Sequence, residues 1–347
     1  MHTNVRTLKV FTQLLVGLMI LAAQVGQTAN VLAAGSNPKY EYYVEGNPGD
    51  VTTTMSGGLL LMGGSTDVDD GFRWMIQKSG GGDFVVIRAS GTDAYNLWIY
   101  SELGMVVDSA ETIIIKNRAA ASDPFVVGQI LKAEALFIAG GDQANYVEYW
   151  KGTPVEDAIH DLAARGVPIG GTSAGLAILG QFVFSAINGT VYSDTALSNP
   201  YNNKVALDRD FLSLPYMNSV ITDSHFSARD RMGRLLTFLA RIIQDDWASE
   251  ALGIGINERT ALAMEPNGIA HVLGESFVYF LKTPGDQQVC QPKTALTYHD
   301  INVYRISASD ANASFNFTKW TGKGGTEYQL NVDAGMVTST QLGGGIY

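Results

Sequence analysis

The sequence predicts a doubly wound α/β fold with a mostly parallel sheet, and three observations carry the prediction. Short apolar runs recur from about residue 58 to 290 without polar alternation, so their strands are buried on both faces, as in a parallel sheet covered by helices. Helix-length amphipathic stretches separate these runs. Several runs end in glycine or an acid, in the loops where open α/β sheets gather their ligands. A chain of 347 residues, 46% apolar and 16% charged, carries enough apolar side chain for such a core.

The N-terminus stands apart. Arg6 and Lys9 precede an uncharged apolar run from Val10 to Ala23, and Val31-Leu32-Ala33 closes like a cleavage site. Residues 1–33 therefore read as a secretory signal peptide, which makes the protein secreted or periplasmic. The run is shorter than the ~20 residues of a membrane span, an uncleaved anchor being the alternative. The formal charge is −11; without the leader it is −13, from 21 basic and 34 acidic residues. So acidic a chain repels phosphate backbones, which argues against a nucleic-acid partner. Cys290 is the sole cysteine, so neither an internal disulfide nor a cysteine-based metal cluster can form.

Strands are expected at Leu59–Met62, Phe84–Ile87, Thr112–Ile115, Ala135–Ile138, Val167–Ile169 and Ser219–Thr222. Helices are expected at Tyr95–Leu103, Pro154–Arg165 and Arg231–Ile243. Together they make an α/β domain over residues 34–290. From residue 291 to 347 the sequence turns to alternating, turn-rich segments such as Asn302–Ile306 and Tyr328–Val332, a small β extension packed on that domain. The acidic segment Thr66–Gly71 lacks the later glutamate of a calcium loop and reads as a helix-capping turn, so no metal is expected.

Gly171-Thr172-Ser173-Ala174-Gly175 has the form G-x-S-x-G between a predicted strand and the apolar helix Leu176–Leu179. In that setting a serine projects its hydroxyl above the sheet as a nucleophile, while the flanking glycines avoid clashes. The amide of Ala174, at a helix start, can donate to a developing oxyanion. A base is needed, and four histidines follow the leader. His160 lies mid-helix, and His271 and His299 lie in strand-like or turn segments. His225 follows a buried run in Asp223-Ser224-His225-Phe226, at the sheet end where the site belongs. Glu258, closing the run Gly253–Ile256, is the preferred acid partner, with Asp223 the competitor because residues two apart on a strand share a face.

Arg229, Arg231 and Arg234 crowd within ten residues of His225 in an otherwise acidic chain. Guanidinium groups hold carboxylates in bidentate fashion, so the cluster suggests a substrate with a free carboxylate. The alternative is a charged helix face paired with Asp230, Asp245 and Asp246, with Arg234 the foremost candidate for that structural role.

Four motifs in order now resemble the cyanophycinases and related aspartyl dipeptidases. They are Gly140-Gly141-Asp142-Gln143, Gly170 to Gly175, Asp223-x-His225-Phe226-x-x-Arg229-x-Arg231-x-x-Arg234-Leu235, and Gly253-x-Gly255-Ile256-x-Glu258-x-Thr260-Ala261, spread over roughly residues 55–285. The resemblance implies a fold like the class I glutamine amidotransferases, with serine as nucleophile and a Ser173–His225–Glu258 triad. It implies that the loop at Gly141 and Asp142 supplies the second oxyanion donor and that Gln143 lines the substrate site. It also implies a homodimer without metal or cofactor that cleaves arginine-bearing poly-aspartate to β-aspartyl-arginine dipeptides. Ser224 stands where the family tends to carry glutamine, and Val147 where it tends to carry lysine; both are substrate-binding positions. The rival reading, an esterase with the order serine, acid, late histidine, would need His271 or His299 as base.

Overall fold

The computed structural model describes residues 39–347, and the expected leader lies outside them. Strand β1 (Tyr40–Gly46) runs antiparallel along the edge of a parallel array formed by β2 (Leu59–Met62), β3 (Asp83–Arg88), β4 (Ser109–Ile115), β5 (Ala135–Ile138) and β6 (Ile169–Thr172). Their order is β1-β4-β3-β5-β6-β2. The array supplies the parallel strands that the sequence predicts. All four residues of β2 and of β5 are buried, as uninterrupted Leu-Leu-Leu-Met and Ala-Leu-Phe-Ile runs require.

The later runs do not continue that sheet. β7 (Phe182–Phe184), β8 (Leu207–Arg209), β9 (Val220–Asp223) and β10 (Leu252–Ile256) open a second sheet, in which β9 pairs parallel with β7 and β10. β11 (Thr260–Met264) and β12 (Ile269–Gly274) return to the first sheet, antiparallel beside β2, while β13 (Phe277–Lys282) lies antiparallel on β10. Val220, Ile254 and Ile256 face the first sheet's core, and Ile221 packs toward the other side. Two-sided burial is the same in either sheet, so the apolar runs alone could not divide them.

Residues 291–347 extend both sheets. β14 (Tyr298–Ser307), β17 (Thr326–Asp333) and β18 (Met336–Ser339) continue the second beyond β13, and β15 (Ser314–Asn316) and β16 (Thr321–Lys323) continue the first beyond β12.

The helices are α1 (Asp69–Lys78), α2 (Ala94–Leu97), α3 (Pro124–Lys132), α4 (Gln143–Trp150), α5 (Pro154–Ala164), α6 (Ala174–Ala177), α7 (Ser193–Ser198) and α8 (Met232–Gln244). The expected Tyr95–Leu103 helix is α2 running into a π-helical turn over Trp98–Glu102. The acidic turn before α1 caps nothing with a side chain. Asp69 and Asp70 sit inside the first turn, where the helix dipole favours them, and pair with Arg73. Asp67 turns inward and accepts from the Tyr95 hydroxyl at 2.5 Å. The sixth strand also lies later than expected, over Ile169–Thr172, because both glycines belong to it. A Cβ at Gly170 would stand 2.8 Å from Met75 Sδ and 2.9 Å from the Phe137 ring, so glycine is what lets α1 close on the sheet there.

Candidate active site

The G-x-S-x-G turn is shaped by two close approaches. A Cβ on Gly171 would lie 2.7 Å from the carbonyl carbon of Gly175, and one on Gly175 would lie 2.0 Å from the Ile138 carbonyl oxygen. Only glycines allow β6 to turn this tightly into α6 beside β5. Ser173, between them, takes φ 54° and ψ −112°, a conformation costing on the order of 1–3 kcal/mol that the surroundings enforce. Its amide donates to the Met62 carbonyl at 3.2 Å, which leaves the hydroxyl to face the end of the sheet.

His225 comes to it from β9. The histidine also takes a left-handed conformation, φ 46°, and its amide donates to the Gly63 carbonyl at 2.7 Å. Ser173 Oγ lies 2.8 Å from His225 Nε2, and His225 Nδ1 lies 2.7 Å from Glu258 Oε1. Both glycines after β2 serve this pair. A Cβ on Gly64 would stand 2.6 Å from His225 Nε2 and 3.0 Å from Ser173 Cβ, and one on Gly63 would overlap the Asn257 carbonyl at 1.9 Å. In the sequence Gly63-Gly64 is no more than the glycine end of the Leu59–Met62 run. Asn257, also unmarked there, accepts from the Ser227 amide at 2.9 Å and donates to Ser276 at 2.9 Å, fixing the segment before Glu258 against the one after His225.

Burial pushes the His225 imidazole below its ordinary range. The hydrogen bond to Glu258 opposes that shift, while the Arg229 and Arg231 guanidinium groups add to it. Glu258 is held low, first by the hydrogen bond from His225. At neutral pH the relay is thus a neutral imidazole between a hydroxyl and a carboxylate, the state in which Nε2 can accept the serine proton.

Gly141 and Ala174 line the same cavity as Ser173. Among the described residues the amides of Gly141, Asp142 and Ala174 donate to no other group. Asp142 faces the adjoining cleft, and its carboxylate caps α4 by accepting from the Ala144 amide at 3.0 Å. Gln143, half-buried, lines both spaces and donates to the Phe184 carbonyl at 3.4 Å.

The three arginines separate in role. Arg234 is buried and clamps Asp223, Nε to Oδ2 at 2.7 Å and Nη2 to Oδ1 at 2.5 Å, with its remaining nitrogen on Thr190 and the Val191 carbonyl. Its guanidinium also stacks on the rings of Phe184 and Phe238. Asp223 and Arg234 are bound to each other, and both line the Ser173 cavity. Asp223 is hydrogen-bonded to Arg234 and Arg231, while His225 Nδ1 is taken by Glu258, so the alternative acid is not the partner of the base. Arg231 is intermediate: Nη1 reaches Asp223 at 3.3 Å, the Ser224 carbonyl at 2.8 Å and Ser224 Oγ at 3.2 Å. Burial brings it down to about 10 despite Asp223, with Arg234 and Arg229 contributing, so it keeps its charge at neutral pH. Ser224, expected at the substrate, lines the Ser173 cavity but is largely buried, and its hydroxyl accepts from Arg231. Arg229 is exposed, makes no ion pair among the described residues and lines both the Ser173 cavity and a neighbouring cleft. Val147 packs against the core instead.

The other histidines lie elsewhere. His160 accepts from the Ser213 amide, His271 bonds the Ala313 carbonyl, and His299 pairs with Asp333 at 2.6 Å. Among the described residues only His225 meets Ser173, so the esterase arrangement has no base. No three His, Cys, Asp or Glu side chains among them could hold a metal ion.

Residues 96–272 match the model of Peptidase family S51. A cyanophycinase of Nostoc sp. is 28% identical over 217 residues, spanning 61% of this chain and 67% of that protein. A cyanophycinase of Geminocystis herdmanii is likewise 28% identical over 217 residues, 61% of this chain and 73% of that one. A solved peptidase from an acI-B1 actinobacterium superposes with a TM-score of 0.51 over 68% of this chain and 96% of its own, at 19% identity, a likeness of fold.

Proposed function

The chain belongs to peptidase family S51 and is a serine-type peptidase, and from that premise we propose that it hydrolyses cyanophycin to β-aspartyl-arginine dipeptides through an acyl-enzyme on Ser173. The supporting observation is the unbroken Ser173–His225–Glu258 chain opening beside Arg229, the one arginine of the cluster left exposed and unpaired among the described residues.

His225 Nε2 takes the hydroxyl proton as Ser173 Oγ adds to the scissile carbonyl, and Glu258 stabilises the imidazolium through Nδ1. The amides of Ala174 and of Gly141 or Asp142 receive the oxyanion. Collapse breaks the C–N bond, and the leaving amine takes its proton from Nε2. Water, deprotonated by the same nitrogen, then releases the acyl group and regenerates Ser173. Each arginine of the polymer is joined through its α-amine to an aspartyl side chain, so its α-carboxylate is free. Arg229 and Arg231 hold that carboxylate.

A second reading keeps the mechanism and changes the substrate to other aspartyl or isoaspartyl peptides. Ser224 favours it, because the short hydroxyl is occupied by Arg231 and offers the substrate less than the family's glutamine would. Export through residues 1–33 and assembly as a homodimer complete the proposal. Incubating the purified protein with cyanophycin and with α- and β-aspartyl dipeptides, beside Ser173→Ala, tests it. Release of β-aspartyl-arginine by the wild type alone supports the first reading, and turnover of dipeptides but not polymer supports the second. Hydrolysis surviving in Ser173→Ala overturns both.

A further inference from the structure

Helix α8 starts without a cap of its own. Its N-cap residue is Arg231, whose side chain makes no capping bond, although an unpaired N–H at a buried helix start is costly. Two of the donors are satisfied from far away in the chain. The Met232 amide donates to the Tyr347 hydroxyl at 3.0 Å, and the Arg234 amide donates to Ser193 Oγ at 3.1 Å. The Tyr347 hydroxyl in turn donates to Asp230 Oδ1 at 2.9 Å. One phenol thus grips the residue before Arg231 and the residue after it.

The grip has work to do. Between His225 and Arg231 the backbone makes a compact turn, with the Arg229 amide on the His225 carbonyl at 3.0 Å and the Arg231 amide on the Phe226 carbonyl at 2.9 Å. Asp230 is left-handed at φ 47°, a conformation that a non-glycine residue holds only where its surroundings insist. The Tyr347 ring is set edge-on against Phe226 and Tyr279, with centroids 5.8 and 5.9 Å away. Its backbone is drawn in by Tyr328, whose hydroxyl donates to the Ile346 carbonyl at 3.1 Å. The C-terminal extension is therefore tied through Tyr347 to the turn that carries Arg229 and Arg231.

We propose that Tyr347 is a positioning residue for substrate binding, its hydroxyl fixing the Asp230–Met232 backbone so that Arg229 and Arg231 present their guanidinium groups to the substrate carboxylate. The proposal rests on the carboxylate-holding role given to those arginines above. It assigns the extension a part in the site that the G-x-S-x-G turn itself does not need.

Tyr347→Phe keeps the ring and removes the hydroxyl. With a peptide substrate bearing a free carboxylate, KM is expected to rise roughly fivefold, equivalent to about 1 kcal/mol at about 1.4 kcal/mol per decade, with kcat within a factor of two. The rate at which a small fluorophosphonate labels Ser173 should not change, since that probe has no carboxylate. In an Arg229→Met, Arg231→Met background the same substitution should add little, because residues acting through one contact are not additive. An unchanged KM, a parallel fall in Ser173 labelling, or full additivity with the arginine variants overturns the proposal. Failure of the underlying reading looks different: the wild type would label at Ser173 yet show no preference for free over amide-capped carboxylates.

Discussion

Arg234 and Asp223 are joined by two parallel hydrogen bonds of 2.7 and 2.5 Å, with side-chain exposures of only 3% and 4%. Removing one member of such a pair leaves the other charge buried without compensation, a loss of about 3–5 kcal/mol. Arg231 also touches Asp223, at 3.3 Å, so the lower end of that range applies. Arg234→Met should unfold at markedly lower urea concentration than wild type, while Arg229→Met, on an exposed side chain, should melt like wild type. A fully stable Arg234→Met would return Arg234 to the substrate.

The nucleophile turn gives the opposite dissociation of stability from activity. Ser173→Ala removes one oxygen from a residue whose strained backbone is enforced by its neighbours. Its melting temperature should stay near wild type while hydrolysis falls by several orders of magnitude. Gly175→Ala adds a carbon at 2.0 Å from the Ile138 carbonyl oxygen, so β5 and α6 must part. It should lose both stability and Ser173 labelling. A stable, active Gly175→Ala would mean that the turn tolerates a side chain the geometry forbids.

The parallel array was legible from local pattern, and so was the meeting of Ser173 with His225, whereas the acid stayed open between Glu258 and Asp223 until the fold placed Glu258 on the histidine. Leu59–Met62 and Ala135–Ile138 could only be strands buried on both faces, and Ser173, His225 and Glu258 each sat at a run's end. The second sheet was not legible, since Val220–Thr222 looks the same wherever it pairs. The division among the arginines was legible only in part. Arg234 was marked as the foremost structural candidate, but only the fold shows that Asp223 takes it, shares Arg231 and leaves Arg229 out. Gly64 carried a weak signal, a glycine pair closing a strand, but its task of making room for His225 depends on a residue 161 positions later. Tyr347 carried none, because a tyrosine capping a helix 115 residues away has no local pattern.

The relay predicts how activity follows pH. Below the His225 pKa the imidazole is protonated and cannot accept the serine proton, so kcat/KM falls on the acid side. Burial lowers that pKa, so the fall should come below 6.5. Glu258 opposes the shift, so Glu258→Gln should move the acid limb to still lower pH while reducing the plateau. Arg229 reinforces it, so Arg229→Met should move the limb upward. The two displacements have opposite signs, and pH profiles of the three proteins check both. An acid limb that moves the same way in both variants would mean that another group titrates.

A second titrating group lies at the far end of the first sheet. Asp83 begins β3, Ser109 begins β4, and Glu134 immediately precedes β5. Ser109 Oγ contacts Asp83 Oδ1 at 2.8 Å and Glu111 Oε1 at 3.1 Å, and Glu134 accepts from the Asp83 amide at 2.8 Å. Burial pushes Glu111 and Glu134 up to about 7, with Asp83 adding its repulsion, and Asp83 itself is raised. Between the ordinary carboxyl value of 4.5 and about 7 the folded chain therefore holds protons that the unfolded chain has released. By linkage this contribution to stability is full below about 4.5 and is lost as pH rises through 7. His225 acts oppositely: its lowered pKa makes the folded state bind fewer protons near pH 6, so its contribution is lost as pH falls. The difference between variants separates the two. Glu111→Gln should gain stability relative to wild type as pH rises from 5 to 8, with Glu134→Gln behaving alike and the pH profile of kcat/KM unmoved in either. Melting curves whose wild-type and Glu111→Gln midpoints stay parallel across that range would show that the cluster does not titrate there.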